Sequence, residues 1–365
     1  MDLREMLADL RELVTCESPS DDRAAVARSA EVLAAIGHRR LGAHPERIVI
    51  DGRTHLRWRF GYGPPRVLLL GHHDTVWPIG SLAHHPYEVT GETLRGPGCF
   101  DMKAGVVQAL HAVAALTNRA GVTVLITGDE ELGSPTSREL IEKEAAGCAA
   151  ALVLEGAADG GALKTERKGV SLYAVRVTGR AAHAGLEPEA GVNSTVELAH
   201  QVLAVQALAD PALGTTVVPA RMTAGTTTNT VPARGEFAVD VRARTTAEQR
   251  RVDVALTSLA PVLPGARITI EGGPNRPPLE AAASEALYAR AEAVAVRLGL
   301  PPLGRAAVGG ASDGNFTAGA GTPTLDGLGA VGGGAHAPGE HVVVAEIPRR
   351  AALVAALVGE VTGSE

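Results

Sequence analysis

The chain has 365 residues, 45% hydrophobic and 21% charged, with a formal net charge of −7, an ordinary balance for a globular protein long enough for two domains. An acidic chain lacks the basic face that general binding to nucleic acid or to an anionic membrane requires, so a small-molecule partner is expected. Cys16, Cys99 and Cys148 are odd in number, widely spaced and without a CxxC pair, which suggests neither a disulfide framework nor a thiolate metal site.

In chain order, MDLREMLADLRELV reads as a charged amphipathic helix rather than a basic leader with an apolar run. No apolar stretch approaches the roughly 20 residues of a bilayer span, so a cytoplasmic location is expected. RVLLLGH, Arg66 to His72, is a short apolar strand. Helical spacing in AGVVQALHAVAALT, a strand in GVTVLITGDEE, a polar helix around Ser137 to Ala145 and a strand in AALVLEG follow. This alternation predicts an α/β layer with a largely parallel sheet.

From about Gly169 to Gly273 the rhythm changes. Strands in SLYAVRVTG, RMTAGTTT, GEFAVDVRA and ARITIEG are interleaved with helices from Asn193 to about Ala209 and over AEQRRVDVALTSLA, the order of a small α+β insert. The clusters RKG and GGPNRPP bound it as hinges, in which Lys168 and Arg276 have the plain reading of solvated hinge charges. The helix SEALYARAEAVAVRLG then resumes the first rhythm, and AEIPRRAALVAALVGEV closes the chain. The expected fold class is therefore α/β: a discontinuous domain of residues 1–168 and 275–365, its mostly parallel sheet flanked by helices, carrying a smaller α+β lid of residues 169–274.

In open α/β sheets functional groups collect beyond the carboxyl ends of the strands. Here His72 and Asp74 follow VLLL, Asp129, Glu130 and Glu131 follow TVLIT, and Glu155 follows ALVL; Asp101 lies in the turn GPGCFDMK and His336 in the loop GGGAHAPGE. Imidazoles and carboxylates converging on one sheet edge would repel and desolvate one another unless a cation neutralised them. A donor set without thiolate suits zinc first, with manganese or cobalt as alternatives. Alternate residues of a strand share a face, so Asp74 can orient the His72 ring while His73 points away as a structural residue. Of Glu130 and Glu131, one can bind the metal while the other takes a proton from water.

Eight stretches, GHHDTV, GPGCFDMKAG, TGDEELGS, VLEGA, GRAAHAG, NTVPARGEFAVDVR, GGASDGN and GAHAPGEH, occur in the order in which they are found in a family of metallopeptidases. The chain resembles the family of glutamate carboxypeptidase, acetylornithine deacetylase and succinyl-diaminopimelate desuccinylase. That resemblance implies a binuclear zinc metallopeptidase or amidohydrolase in which Asp101 bridges two zinc ions, His72 and Glu155 complete one, and Glu131 and His336 the other. It further implies Glu130 as general base, a cis Asp101–Met102 peptide, and His183 as an oxyanion-stabilising group reaching the active site of a partner subunit. Asn229 and Arg242 would grip the substrate, with Arg276 and Lys168 as further candidates for its anionic end and Ser312 shaping the pocket. A guanidinium fork suits a free carboxylate, so the substrate is expected to be an N-acyl amino acid or short peptide, hydrolysed to release a C-terminal amino acid. Glutamate is the first guess, and an N-deacylase of acetylornithine or succinyl-diaminopimelate type is the alternative. A homodimer through the lid is implied as well.

Two other patterns compete. GASDG fits a serine nucleophile elbow, with Asp326 and His336 following in hydrolase order, but GRAAVGG is a poor strand to precede an elbow and the upstream carboxylates would be left without a role. GLGAVG matches G-x-G-x-x-G, yet no helix can follow it through GGAHAPG. His84, His85, His111 and His341 read as surface or structural residues.

Overall fold

A computed structural model describes residues 1–363 and resolves them into two compact units. One comprises Met1–Arg167, Leu279–Val308 and the chain from Ser312 onward; the other comprises Lys168–Pro278 with Gly309–Ala311.

The first unit is built on a six-stranded sheet. Its order is β1 (Glu46–Ile50), β2 (Arg53–Arg59), the Val122–Thr127 strand, β3 (Val67–His72), the Ala150–Val153 strand and Thr324–Leu325. The four strands from Val122–Thr127 to Thr324–Leu325 run parallel. Every residue of the Val122–Thr127, β3 and Ala150–Val153 strands is buried, as expected of central strands covered on both faces, and their unbroken apolar runs are what made them visible in the sequence. The β1–β2 pair is an antiparallel hairpin that the sequence reading left out. Its signal was the Asp51–Gly52 turn, both residues at positive φ (48° and 77°), between polar-rich strands whose alternation is weak.

Helices α1 (Leu3–Thr15) and α2 (Arg23–Leu41) precede the sheet. The Asp22 carboxylate caps α2 by accepting from the Ala24 and Ala25 N–H groups, and Gly42 ends it in the left-handed conformation. Helix α3 (Ala104–Ala114) is buried along almost its whole length. A Cβ on Gly105 would lie 1.9 Å from the Leu154 carbonyl oxygen, so only glycine lets α3 lie this close to the chain leading into Glu155. Helix α4 (Arg138–Ala145) follows the next strand.

The second unit is a four-stranded antiparallel sheet, ordered Thr216–Ala224, Arg234–Ala243, Gly169–Thr178, Arg267–Arg276, with helices α5 (Ser194–Gln206) and α6 (Thr246–Thr257). Tyr173, Val175 and Val177 alternate into a core shared with Phe237, Val239, Val241, Leu198 and Val252. One boundary differs from expectation: GGPNR is the end of the last strand, not a hinge. Gly272, at φ 100°, allows it, because a Cβ there would meet the Leu172 carbonyl oxygen at 2.1 Å. Beyond this unit the chain forms α7 (Ala281–Arg297), the short α8 (Gly314–Gly319) and α9 (Glu346–Thr362) in the first unit. Among the described residues no helix is long and apolar enough to cross a membrane.

A buried polar knot ties the N-terminal helices to α3. The Asp9 carboxylate accepts from Arg40 Nε (2.6 Å), Arg39 Nη2 (2.8 Å) and His111 Nε2 (2.7 Å), which makes His111 a structural residue. Burial pushes the Asp9 carboxyl up, but the hydrogen bonds to His111, Arg40 and Arg39 outweigh it and hold the group well below the usual carboxylate range. A depressed folded-state pKa means that the unfolded chain takes up this proton first as pH falls. The stability from Asp9 is therefore fully present above its ordinary value near 3.8 and is lost on acidification below it. In urea denaturation at pH 5 and pH 3, Asp9→Asn is expected to be less stable at pH 5 and to lose less on going to pH 3 than the unsubstituted protein.

Candidate active site

Three neighbouring strands deliver the polar groups to one edge. β3 ends on His72, Val122–Thr127 runs out into Asp129–Glu131, and Ala150–Val153 runs out into Glu155. Because β3 pairs in parallel with both of the others, their carboxyl ends emerge on the same side. Asp101 comes from the irregular turn Cys99–Lys103, whose Asp101–Met102 peptide is cis, as the resemblance implied. His336 sits at φ 62° in the late glycine-rich loop.

The two carboxylate oxygens of Asp101 divide between two imidazoles. Oδ1 lies 3.2 Å from His72 Nε2, which also has Glu155 Oε1 at 3.7 Å; Oδ2 lies 3.2 Å from His336 Nε2, which has Glu131 Oε1 at the same distance. One ligand atom each from His72, Asp101 and Glu131 falls within 4.8 Å of the others. His72 Nδ1 is 3.0 Å from the Asp74 backbone oxygen and 3.5 Å from its carboxylate. With Nδ1–H donating to that carbonyl, the Nε2 lone pair faces only acceptors, an arrangement that fits a cation among them. The donor set of two imidazoles and three carboxylates thus suits one or two divalent ions.

The electrostatics agree. Burial opposes protonation of His72, yet the Asp101 and Asp74 carboxylates outweigh it and push the imidazole well up. Hydrogen bonds to Asp101 and Glu131 raise His336 to about 10. Asp101 is held far below the carboxylate range because its bonds to His336 and His72 overcome the effect of burial. Glu155 is pushed up to about 7 by burial and by the charge of Asp101, with Arg167 opposing. The cluster demands positive charge, which protons supply in the absence of metal and which a bound cation would replace.

Asp74 does more than orient a ring. Its carboxylate accepts from the Ser20 hydroxyl (2.7 Å) and from the backbone N–H groups of Glu130 and Glu131 (3.3 Å each), fixing the turn that carries both glutamates. The Asp129 carboxylate builds the next turn, accepting from Thr136 and Ser137. His73 is fully buried and bonded to the Ser29 hydroxyl and the Thr54 carbonyl, the structural role expected of it.

Glu340 was missed. Its buried carboxylate accepts from the N–H groups of Gly98, Phe100 and Asp101 and from Trp77 Nε1, so it grips the backbone that presents Asp101. It lies in GAHAPGEH, where only the first His carried a signal, since a carboxylate that binds backbone N–H groups leaves no side-chain pattern to detect. Arg167 was missed too: it donates to Asp326 at 2.6 Å, with Nη2 3.8 Å from Glu155.

Ser312 is a correction. It has no exposed surface, and its hydroxyl donates to Asp326 at 2.6 Å within the Arg167 network. It is thus a strut beneath the site rather than a pocket wall, and with His336 committed to Asp101 and Glu131 the Ser–Asp–His triad is not assembled.

His183, Asn229, Arg242 and Arg276 belong to the second unit. Exposed His183 accepts at Nδ1 from the Gly185 and Leu186 N–H groups, and Asn229 is exposed beside it, its carbonyl accepting from Ala184. The Arg242 fork already holds the Asp240 carboxylate (2.8 and 2.9 Å), an engagement not foreseen, so a substrate anion would have to compete for it. The positive charges of Arg242 and Arg244, after burial, depress Lys168, which places these cations in one group. Arg276 is buried at the end of its strand rather than a solvated hinge charge.

Comparison with known proteins defines the class. A family model described as peptidase family M20/M25/M40 matches residues 68–360. Carboxypeptidase G2 of Pseudomonas sp. (strain RS-16) is 32% identical over 311 residues, which are 82% of this chain and 74% of that protein. Among solved structures, aminopeptidase PepT from Bacillus cereus superposes with a TM-score of 0.77 at 22% identity, covering 99% of both chains. An M20 family metallo-carboxypeptidase from Sulfolobus solfataricus superposes with a TM-score of 0.74 at 18% identity, over 98% of this chain and 99% of that one. The matches define a hydrolase of the peptidase class. The chain belongs to peptidase family M20/M25/M40, as the eight stretches had implied.

The grip of Glu340 can be measured. Glu340→Ala leaves buried N–H donors without an acceptor and is expected to lower stability by about 3 kcal/mol in urea denaturation. It should also weaken retention of added zinc by about tenfold or more in a chelator competition.

Proposed function

We propose that this hydrolase is a two-metal amidohydrolase, with zinc as the first-choice ion, that cleaves the amide bond of an N-acyl amino acid or short peptide and releases the C-terminal amino acid, glutamate being the first candidate. The observation that carries the reading is the division of the Asp101 oxygens between a His72–Glu155 side and a His336–Glu131 side. His72, Asp101 and Glu155 would hold one ion, and Asp101, Glu131 and His336 the other. Bound divalent ions supply Lewis acidity at a carbonyl oxygen and make water more acidic.

The chain's own groups do the rest. Glu130, on the turn fixed by Asp74, accepts the proton of the attacking water and delivers it to the leaving amine. In the second unit, the two N–H groups bonded to His183 Nδ1 fix its neutral tautomer with the proton on Nε2, a donor suited to a developing oxyanion. Asn229 lies beside it as a further polar contact for the substrate. Arg242, with Lys168 and Arg244, offers the positive surface that a free carboxylate needs, and Asp240 tunes it. Specificity for a carboxylate-bearing leaving half follows from this group of cations.

The deciding experiment combines metal analysis with a panel of N-acyl amino acids and dipeptides that includes N-acetylornithine and N-succinyl-diaminopimelate. About two metals per chain are expected, with turnover strongest on substrates that release glutamate. Glu130→Ala should lose about 100-fold to 10,000-fold in kcat while retaining metal. Full activity in Glu130→Ala, or in metal-stripped protein, would overturn the mechanism; preference for the deacylase substrates would replace only the substrate.

We also propose a homodimer formed through the second unit, whose edge strand Thr216–Ala224 is largely exposed and free to pair. Sedimentation at micromolar concentration should give a dimer, and a fully active monomer would sink an in-trans role for His183.

A further inference from the structure

The GASDG stretch assembles no nucleophile elbow, yet its two adjacent polar side chains are both buried and bond to different segments of the first unit. Ser312 donates to Asp326, which also holds Arg167, whose Nη2 lies 3.8 Å from Glu155. Asp313, only 3% exposed, bonds instead to the segment that carries Glu130 and Glu131. One of its oxygens accepts from the Thr127 hydroxyl at 3.1 Å, and the other accepts from the Ser134 hydroxyl.

Thr127 and Ser134 flank the turn that presents the two glutamates. Thr127 ends its strand, stands opposite His72 in the parallel register, and accepts at its carbonyl from the His73 N–H at 2.9 Å. Ser134 closes the turn: its N–H donates to the Asp129 carbonyl at 3.0 Å, and its carbonyl accepts from the Arg138 N–H, at the start of α4, at 3.1 Å. It does so at φ 58°, directly after Gly133 at 87°. A non-glycine residue in the left-handed region is strained and persists only where its surroundings hold it there. The bond from the Ser134 hydroxyl to the buried Asp313 carboxylate is such a hold. Asp74 grips the same turn at its middle, through the N–H groups of Glu130 and Glu131. Two carboxylates thus divide the work. Asp74 fixes the peptide groups of the glutamates, and Asp313 fixes where their turn begins and ends.

We propose that Asp313 is a positioning residue for Glu130 and Glu131: by holding Thr127 and Ser134 it sets the turn so that Glu131 reaches the His336 side of Asp101 while Glu130 is kept for proton transfer. This role rests on the two-metal reading of the site. Its chemistry calls for a carboxylate in particular, because two hydroxyl donors converge on one side chain and need two acceptor oxygens. An asparagine there would keep the size but offer one oxygen, and its NH2 group would meet the second hydroxyl as another donor. Ser312 serves the opposite side, through Asp326 and Arg167 toward Glu155. Adjacent residues therefore brace the two sides between which the Asp101 oxygens are divided.

Asp313→Asn, Ser134→Ala and the double variant, each purified as the full chain and loaded with zinc, test this role. In Asp313→Asn, kcat is expected to fall by about tenfold to 100-fold with KM little changed. A chelator should remove the more weakly held zinc about tenfold more readily than from the unsubstituted protein. Amide hydrogen exchange read by mass spectrometry should quicken in peptides covering residues 128–136 and stay unchanged around Asp9. Ser134→Ala removes one of the two hydroxyls, so the single oxygen of an asparagine then suffices for Thr127, and the double variant should be no worse than Ser134→Ala alone. Additive losses in the double variant, a change in KM alone, or unaltered exchange in the turn would overturn the role. If Asp313→Asn does not fold, Ser134→Ala carries the same test, since it too should quicken exchange in the turn and loosen the weaker zinc. Absence of both zinc and turnover in the unsubstituted protein would be a failure of the two-metal reading instead. Exchange in the turn would still decide whether Asp313 holds it.

Discussion

The structure depends on how three carboxylates and two imidazoles are held together at one sheet edge. Asp101 is the centre of that constraint, because each of its oxygens faces a different imidazole nitrogen at 3.2 Å. Neither imidazole nitrogen can satisfy the cluster as a neutral acceptor. The shifts of His72, His336 and Asp101 all express one shortage of positive charge, and that shortage makes the edge a metal-binding candidate rather than a mere polar rim.

Much of the surrounding fold makes such crowding tolerable. Glu340 holds the Asp101 turn by its backbone, Asp74 holds the Glu130–Glu131 turn in the same way, and Arg167 sets a fixed positive charge between Asp326 and Glu155. Gly105 contributes by what it lacks, since a methyl group there would drive α3 away from the Leu154 carbonyl and so from Glu155. These residues position groups that would otherwise repel, and removing one affects geometry before chemistry.

The sequence could be read well wherever chemistry sits in strand ends. Runs such as VLLL, TVLIT and ALVL announce covered parallel strands, and the titratable residues just after them could only lie at the sheet edge. The antiparallel hairpin at Asp51–Gly52 escaped because its strands are rich in Arg and lack a clear alternation. The GGPNR strand was taken for a hinge because glycine and proline usually break strands, and only the proximity of the Leu172 carbonyl shows why glycine belongs there.

What the sequence determined alone was the class of fold, the family, and a set of imidazoles and carboxylates that collect at one sheet edge. What tertiary structure decided was partnership. Ser312 turned from pocket wall to buried strut because its hydroxyl donates to Asp326, which Arg167 holds from a distant segment, and Arg242 proved to be engaged by Asp240. Glu340 emerged as the clamp on Asp101 across 239 positions of chain. The physical reason is common to all three: a side chain's type fixes which bonds it can make, but only the packed fold fixes which partner stands within 3 Å of it.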